Sequence, residues 1–508
     1  MRTRTQNARN NILTGVISKI VSLMLPFITR TCIIYYLGTV YLGLNSLFSS
    51  ILQILSLAEL GFGEAMVFSM YRPLAEDNQK KIRALLNLYK KIYRIIGIVV
   101  LAVGLALMPF LDRLIKDSAS ASATVNIYTL YLIYLINTVL SYLLFAYKGS
   151  LLAAHQRVSI TNIINMVTQT IMSLAQILII VTTRNYYIYV IVIPLFTIFR
   201  NLATEMVTRK LYPDLYCEGK LDKDEIKEIE KKVAGLFIYK ICGTFRNSFD
   251  SIVISAFLGL VVLAKYENYY YIVNSIIGAL SIISNSITAS VGNSIVSESK
   301  EKNRNDFFKF LFVYEWITGL CTVCLYCLYQ PFMRIWVGED LMLGNGIVYL
   351  LCIYFFVLKS GDICYVYRQA AGIWWKDKFR PIIEAISNLI LNLILVKYFG
   401  VGGVLLATIV TMLLINLTWG GKILFDVYFE QGLAKYFINI IMWAVATSVA
   451  CIACSCFCMI IAGNGVAEFV MRMVISAIVP NFIFAILFCG KRKNRQYMSS
   501  MYNSIVKR

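Results

Sequence analysis

The chain has 508 residues, of which 59% are hydrophobic and 15% are charged, and 48 basic against 28 acidic side chains give it a formal net charge of +20. Soluble globular domains are about half apolar and about a quarter charged. This composition therefore excludes an ordinary water-soluble enzyme and indicates a chain embedded in lipid. His155 is the single histidine, which excludes a metal site with several histidine ligands.

Fourteen apolar stretches are long enough to cross a bilayer as helices, which takes about 20 residues. They predict an all-α, polytopic membrane protein with 14 transmembrane helices. The first stretch follows three arginines, as in a signal peptide, but it is too long for the apolar part of one and has no small-residue cleavage site, so we count it as a span. The stretches are 11–36, 42–70, 92–111, 125–147, 160–182, 187–208, 233–258, 266–290, 310–330, 346–366, 379–397, 403–423, 435–460 and 467–490.

The basic residues predict the orientation of these spans. An even number of spans places both termini on one side, and the loops and tails of that side, with Arg94 at an adjoining helix start, contain 35 of the 48 basic residues. Cytoplasmic loops are enriched in Lys and Arg. We therefore expect the protein to lie in the cytoplasmic membrane with both termini in the cytoplasm. We also expect its basic residues to interact with anionic lipids rather than with nucleic acid. The opposite loops contain Arg113, Lys116, Arg184, Lys265, Arg334 and Lys397.

The loops leave little room for chemistry outside the bilayer. The outer loops are too short for a folded domain, and the longest inner loop, 209–232, is predicted to form a short solvated helix. A nucleotide-binding P-loop is absent, because Gly420-Gly421-Lys422 is followed by Ile423 instead of Ser or Thr. We expect no enzyme activity and no cofactor, and we place any activity between the helices.

The chain resembles itself at an offset of 221 residues, at which Lys19 falls on Lys240 and Leu37-Gly38 falls on Leu258-Gly259. An offset of six spans preserves orientation, so the repeat predicts two parallel lobes, and transporters of this kind bind their substrate between the lobes. Chance similarity between apolar helices is the alternative. The matched polar positions are Gln53 with Asn274, Glu64 with Asn285, and Thr29 with Asp250.

The repeat also predicts the domain organisation of the chain. Two six-helix lobes are joined by a cytoplasmic linker and followed by two additional helices and a tail. The bounds are 1–208 for the N-terminal lobe, 209–232 for the linker, 233–423 for the C-terminal lobe, 424–490 for the additional helices, and 491–508 for the cytoplasmic tail.

Polar and charged side chains inside the spans predict a hydrated, mainly cationic cavity between spans 1, 2, 7 and 8. A Lys or Arg at the bilayer centre costs about 2.5–3.5 kcal/mol on insertion scales, so it needs a partner or water. The alternative is an internal ion pair that fixes helix packing, as for Arg246 with Asp250 or Lys359 with Asp362. The candidate substrate-binding residues are Lys19, Arg30, Gln53, Lys240, Arg246, Asn274, Asn285 and Lys359, and the candidates for ion or proton coupling are Glu59, Glu64 and Asp250.

The 13 cysteines lie mostly inside apolar stretches, which indicates reduced thiols and no disulfide framework. Cys321, Cys324 and Cys327 have the spacing of an iron–sulfur motif, but they lie within a predicted span, where Cys is usually a small apolar residue. We therefore expect no metal site.

Several short segments at span ends resemble a known family, the Wzx-type oligosaccharide flippases of the polysaccharide transporter family in the MOP superfamily. The resemblance extends from the first span to about residue 425. The segments are Leu37-Gly38 with Leu42-Gly43-Leu44, Leu57-Ala58-Glu59-Leu60-Gly61, Ser248-Phe249-Asp250-Ser251-Ile252-Val253-Ile254-Ser255 before Leu258-Gly259 and Tyr266, Ile335-Trp336-Val337-Gly338, and Gly400-Val401-Gly402-Gly403-Val404 before Ala407-Thr408.

The resemblance implies a V-shaped pair of six-helix lobes that flips undecaprenyl-pyrophosphate-linked oligosaccharides from the inner to the outer leaflet. Arg30, Glu59 and Asp250 occupy places where such proteins often have polar residues. The expected partners are the lipid-linked oligosaccharide, membrane lipids, and the polymerase and glycosyltransferases of polysaccharide synthesis.

Other functions stay open from the sequence. The sequence does not distinguish an oligosaccharide flippase from a flippase for a peptidoglycan or teichoic precursor. A multidrug or cation antiporter of the same superfamily is less favoured, because basic residues outnumber acidic ones in the spans. A membrane-embedded transferase is disfavoured by the short loops and the single histidine.

Overall fold

A computed structural model describes residues 4–59, 62–116, 125–145, 147–373, 376–461 and 465–490. Side chains are described for these residues except 4–13, 16, 58–59, 64, 228, 230–243, 245–247, 289 and 489. Nearly all of the described residues are helical, and none of them forms a strand. The predicted all-α, polytopic fold class is thereby confirmed.

The helices group into two compact units, residues 1–264 and 265–508. The first unit contains α1 Arg4–Tyr36, α2 Thr39–Leu55, α3 Phe62–Ala75, α4 Gln79–Leu107, α5 Ile127–Leu143, α6 Lys148–Ala154, α7 Val158–Thr183, α8 Tyr186–Leu211, α9 Lys223–Leu258 and the start of α10 Leu260–Ser297. The second contains the rest of α10, then α11 Lys300–Val337, α12 Asn345–Ser360, α13 Asp362–Ala370, α14 Phe379–Phe399, α15 Val401–Thr411, α16 Gly420–Leu424, α17 Leu433–Ile460 and α18 Val466–Cys489. The lobe bounds expected from the repeat stay a prediction.

Each of the fourteen predicted stretches lies on one or two of these helices. By length and apolar composition, 11 of the described helices can cross a membrane, or 12 if α5 and α6, which meet at 51°, form one bent span. The second stretch is interrupted by a 3-10 turn at Ser56–Glu59. Of the seventh stretch, only the part Ser248–Leu258 is assessed for its ability to span a membrane, and this part is too short to do so alone. The protein is therefore a multi-pass membrane protein, and the number 14 stays a prediction.

The two Leu-Gly sites of the sequence repeat have the same backbone conformation. Gly38 has φ 105° and ψ 167°, and Gly259 has φ 91° and ψ 171°. Residues with a side chain rarely adopt a positive φ in this region, whereas Gly does so without steric cost. In both places a long helix ends before the glycine and a new helix starts directly after it, at Thr39 and at Leu260. The offset of 221 residues therefore relates two corners of the same shape.

A second glycine allows two of these helices to touch. A Cβ at Gly43 on α2 would overlap the backbone carbonyl of Leu260 at the start of α10. Small residues at helix contacts let backbones approach closely inside membranes, where packing rather than hydrophobic burial holds helices together. Any larger residue at position 43 must therefore push α2 away from this corner.

The inner loop 209–232 contains the predicted solvated helix only in part. Helix begins at Lys223, where several side chains are exposed, and continues without a break through Leu258, whereas the preceding segment 212–222 is bound to α4. Arg83 donates from Nε to the carbonyl of Asp214 and from Nη1 to the hydroxyl of Tyr216, both at 2.8 Å. Asn87 donates to the carbonyl of Gly219 at 2.8 Å. These contacts give the carbonyls of Asp214 and Gly219 hydrogen-bond partners outside a helix.

The last two helices belong to the core of the second unit. Trp443 on α17 is 1% exposed and stacks on Phe488 of α18 with ring centroids 4.1 Å apart. Trp316 of α11 donates to Oδ1 of Asn481 on α18 at 2.6 Å. Cys327 and Cys454 lie in the same apolar core. No metal-binding group of His, Cys, Asp or Glu occurs among the described residues, and the cysteines there act as small packing residues.

A buried ionic cluster closes the loop between α13 and α14. Arg380 donates to both carboxylate oxygens of Asp377, at 2.7 and 3.0 Å, and to Glu384 at 3.1 Å. Arg368 lies 3.7 Å from Asp377, and all four side chains are at least nine-tenths buried. Two positive and two negative charges balance, which is the condition under which buried ionic groups are tolerated.

The helix after α15 widens into two π-helical stretches, Met412–Trp419 and Phe425–Phe429, that flank α16. Gly420 and Gly421 lie between the stretches. Arg368 occupies the space that a Cβ would need at Gly420, and Tyr436 occupies the corresponding space at Gly421. The glycines therefore provide the room for two large side chains from neighbouring helices.

Candidate functional site

Two of the predicted cationic residues lie on α1. Lys19 and Arg30 are both half-buried, with Pro26 between them. Arg30 is close enough to Tyr189 of α8 to interact with it electrostatically. The helix runs through Pro26 without ending. Lys19 and Arg30 thus occupy one membrane helix of the first unit, at different depths.

Two further predicted residues, Gln53 and Asp250, lie on α2 and α9. Gln53 is exposed, and its Oε1 accepts a hydrogen bond from the hydroxyl of Ser248 at 3.3 Å. Asp250, two residues further along α9, is 5% exposed, and its repeat equivalent Thr29 is 6% exposed. The structure therefore brings Gln53 to the start of the Asp250 segment.

The predicted residues of the second unit fall into two environments. Asn274 and Asn285 are exposed on α10. Lys359 is 2% exposed, and its Nζ lies 2.5 Å from the carboxylate of Asp362, which also accepts a hydrogen bond from Tyr314 at 2.5 Å. The i, i+3 pair that the sequence suggests is therefore formed, and Lys359 is an internal ion-pair partner in this structure.

Four predicted side chains, those of Glu59, Glu64, Lys240 and Arg246, lie outside the described side chains. The pairing of Arg246 with Asp250 and the meeting of all predicted cations in one chamber stay predictions for this reason.

The first unit contains a polar cavity that the sequence analysis did not identify. Its volume is about 710 Å³, and its walls come from α1, α5, α7 and α8. The polar lining is made mainly of hydroxyl and amide side chains. They include Ser18, Asn137, Asn165, Gln169 and Thr197. A cavity of this size inside a bundle of membrane helices can hold a ligand of several hundred daltons.

Arg200 is the one charged residue among the described residues that line this cavity. It is half-buried on α8, and no described acidic side chain forms an ion pair with it. In the sequence, Arg200 is a single basic residue in an apolar stretch and has no charged residue at helical spacing. Its neighbours across the cavity are distant in sequence, so no local pattern indicates it.

The amide groups on the cavity wall have hydrogen-bonding capacity to spare. Asn137 accepts a hydrogen bond at Oδ1 from the hydroxyl of Thr197 at 2.7 Å, which leaves its Nδ2 as a donor. Gln169 donates weakly to Ser173 at 3.5 Å, and its Oε1 stays available as an acceptor. The cavity can therefore offer one fixed positive charge together with neutral donors and acceptors, which suits a ligand with an anionic group and hydroxyls.

A second cavity, in the second unit, has the opposite character. It has a volume of about 620 Å³ and lies between α11, α12, α17 and the first π-helical stretch. Its lining is mostly apolar, with Ile353, Phe356, Leu413 and Ile441 among the contributors. No charged residue lines it within the described part of the chain.

The fold of this chain is similar to the folds of several solved membrane proteins. No family model matches the chain, and no curated protein matches it by sequence. The solved lipid II flippase MurJ, in an inward closed conformation, is 16% identical over 94% of this chain and 99% of its own, with a TM-score of 0.66. An inward-facing multidrug resistance MATE family transporter of the MOP superfamily is 14% identical over 84% of this chain and 98% of its own, with a TM-score of 0.61. A mutant MATE transporter of Vibrio cholerae is 14% identical over 85% and 99%, with a TM-score of 0.57.

These are similarities of fold, since the sequence identities are only 14–16%. They extend over almost the full length of each solved protein and over most of this chain. The chain is therefore a multi-pass membrane protein whose fold is similar to the folds of the solved MurJ and MATE proteins.

Proposed function

We propose that the protein is a flippase that moves undecaprenyl-pyrophosphate-linked oligosaccharides from the inner to the outer leaflet of the cytoplasmic membrane. It changes no covalent bond and is not an enzyme. The headgroup passes through a hydrated path in the protein while the polyprenyl tail stays in lipid, and the site opens to alternate sides. Both termini are cytoplasmic in this proposal, and the synthesis enzymes of the oligosaccharide are its functional neighbours.

The observation that supports this proposal most is the extent of the similarity to a flippase. MurJ aligns with 94% of this chain, whereas the two MATE transporters align with 84% and 85%. The difference is about a tenth of the chain.

The polar cavity argues against the antiporter alternative. A site for an organic cation needs acidic groups, and no Asp or Glu lines the cavity among the described residues. A flippase for lipid II itself is the second candidate, because lipid II is the substrate named for MurJ. Both candidates have an anionic, sugar-bearing lipid as substrate, so they differ in headgroup and not in mechanism.

Within this proposal, Lys19, Arg30, Lys240 and Arg246 bind the pyrophosphate, with Lys359 as a further candidate. Gln53, Asn274 and Asn285 bind sugar hydroxyls. Glu59, Glu64 and Asp250 are the candidates for coupling to an ion or a proton. Arginine is well suited to this task because its guanidinium binds phosphate oxygens by two parallel hydrogen bonds.

The test uses the full chain in liposomes that contain a fluorescent undecaprenyl-pyrophosphate oligosaccharide or fluorescent lipid II in separate samples. We expect the protein to make the labelled headgroup of one of them accessible to a membrane-impermeant quencher. Arg30→Ala should lose this activity, and Arg184→Ala, which changes an exposed loop arginine, should keep it. Absence of transport of both lipids by folded protein would contradict the proposal, and transport of lipid II alone would select the second candidate.

A further inference from the structure

Arg200 places a positive charge inside the membrane part of the first unit without a described counter-charge. An ionisable residue within a membrane span is expensive unless it has a partner or lines a hydrated cavity, and it marks a site more often than an accident of packing. Arg200 lines a cavity of about 710 Å³. Arg200 therefore lies in a polar cavity, and none of the described residues that line this cavity is acidic.

The groups that line the cavity indicate which kind of anion Arg200 could bind. The lining provides hydroxyls and amides from four helices and no carboxylate among the described residues. Asn137 is held by Thr197 in the orientation that leaves its Nδ2 free to donate. An arginine fork and an amide donor in the same cavity match several oxygens on one tetrahedral centre better than they match a halide or an organic cation.

We propose that this cavity is a binding subsite for a phosphate or pyrophosphate ester, with Arg200 as the anchoring cation and Asn137 as a supporting donor. The subsite is lined by α1, α5, α7 and α8 of the first unit, and none of its lining residues is among the residues that the proposed function assigns to the pyrophosphate. Identification of the ester as the lipid-linked pyrophosphate rests on the proposed function. A free soluble phosphate compound has the same chemistry and is the other source.

The volume fits this ligand class. Pockets of about 300–1,000 Å³ hold ligands of drug size, so a cavity of about 710 Å³ has room for a pyrophosphate with one or two sugar rings. Gln169 and Asn165 line the α7 side of the same cavity and can bind ring hydroxyls there. A bare phosphate alone would leave most of the space to water.

The experiment measures anion binding to the purified full chain by calorimetry, with inorganic pyrophosphate and farnesyl pyrophosphate as the two probes. Wild-type protein should bind at least one of them, and Arg200→Gln should weaken that binding at least tenfold, which corresponds to about 1.4 kcal/mol. Arg200→Lys should recover part of the loss. Arg184→Gln, which removes an exposed arginine that lies over the ring of Tyr36, is the matched control and should bind as wild type does.

The outcomes separate this inference from the proposed function. Tighter binding of farnesyl pyrophosphate than of pyrophosphate identifies a lipid-linked source, and the reverse order identifies a soluble one. Failure of wild-type protein to bind either probe at millimolar concentration would overturn the inference, as would equal losses in Arg200→Gln and Arg184→Gln. If Arg200→Gln does not fold, Asn137→Ala tests the same cavity. Binding without transport would refute the proposed function and leave the subsite standing.

Discussion

The buried pair of Lys359 and Asp362 gives the most direct test of how this structure is held together. Substitution of Lys359 by Met preserves the length and apolar stem of the side chain but removes its charge. Asp362, with 19% of its side chain exposed, then keeps only the hydroxyl of Tyr314 as its described partner. A carboxylate at this place would be nearly desolvated and without a cation.

The expected loss can be bounded from the geometry. Removal of one member of a buried ion pair destabilises a protein by about 3–5 kcal/mol, because the other charge stays buried. The residual exposure of Asp362 and its bond to Tyr314 place the expected loss for Lys359→Met near the lower end, at about 3 kcal/mol. The double variant Lys359→Met with Asp362→Asn removes both charges and should recover most of that loss.

A thiol-reactive dye can follow unfolding in detergent, because several cysteines, Cys327 and Cys454 among them, are buried in the folded protein. Lys302→Met is the matched control. Lys302 forms an i, i+4 pair with Glu298 at the same distance of 2.5 Å, but its side chain is 56% exposed. Exposed pairs contribute about 0–1 kcal/mol, so this variant should unfold almost as wild type does.

If Lys359→Met and Lys302→Met lower the stability equally, the reasoning is refuted, because the buried ion pair would then contribute no more than the exposed one. The same variants also decide what Lys359 does. If the double variant is stable and still transports the lipid, Lys359 is a structural residue. If it is stable but inactive, the predicted role of Lys359 in substrate binding is supported.

Three further changes test separate contacts. Gly43→Ala should lower the stability by about 1–3 kcal/mol, since the new methyl overlaps the carbonyl of Leu260, and an unchanged unfolding midpoint would disprove the close approach. Glu315→Gln should leave the same midpoint unchanged or raise it, because Glu315 is 0% exposed and no described basic side chain pairs with it; a large loss would reveal a cation that the structure does not describe. Arg83→Ala should speed hydrogen exchange in 212–222, where it holds Tyr216, with little change in global unfolding; equal exchange rates would rule out this fastening.

The fold was largely predictable, because a membrane helix requires a long apolar stretch and the chain has such stretches throughout. The corner at Gly38 and its equivalent at Gly259 were also accessible, since a glycine between two helices at matched positions of a repeat has a backbone cause. The pair of Lys359 with Asp362 followed from helical spacing alone. These features are all determined by residues that are close in sequence or related by the repeat.

The polar cavity could not be found in this way. Its wall joins Ser18 to Arg200 and brings together four helices whose polar residues look isolated when each helix is considered alone. The inner linker was predicted only in part, for a related reason. Its charged residues do form a helix from Lys223, but the segment before Lys223 is not helical and is bound by Arg83 and Asn87, which are more than a hundred residues earlier in the chain.

The π-helical stretch at Met412–Trp419 has a consequence for the side chains that follow it. Successive residues of an α-helix are separated by about 100° of rotation, so every position after the stretch depends on how many residues the wide turns contain. Gly420 and Gly421 face Arg368 and Tyr436 only at the present rotation of the helix about its axis. Deletion of a single residue from the stretch would turn larger side chains toward them. The length of this segment is therefore constrained in addition to its composition.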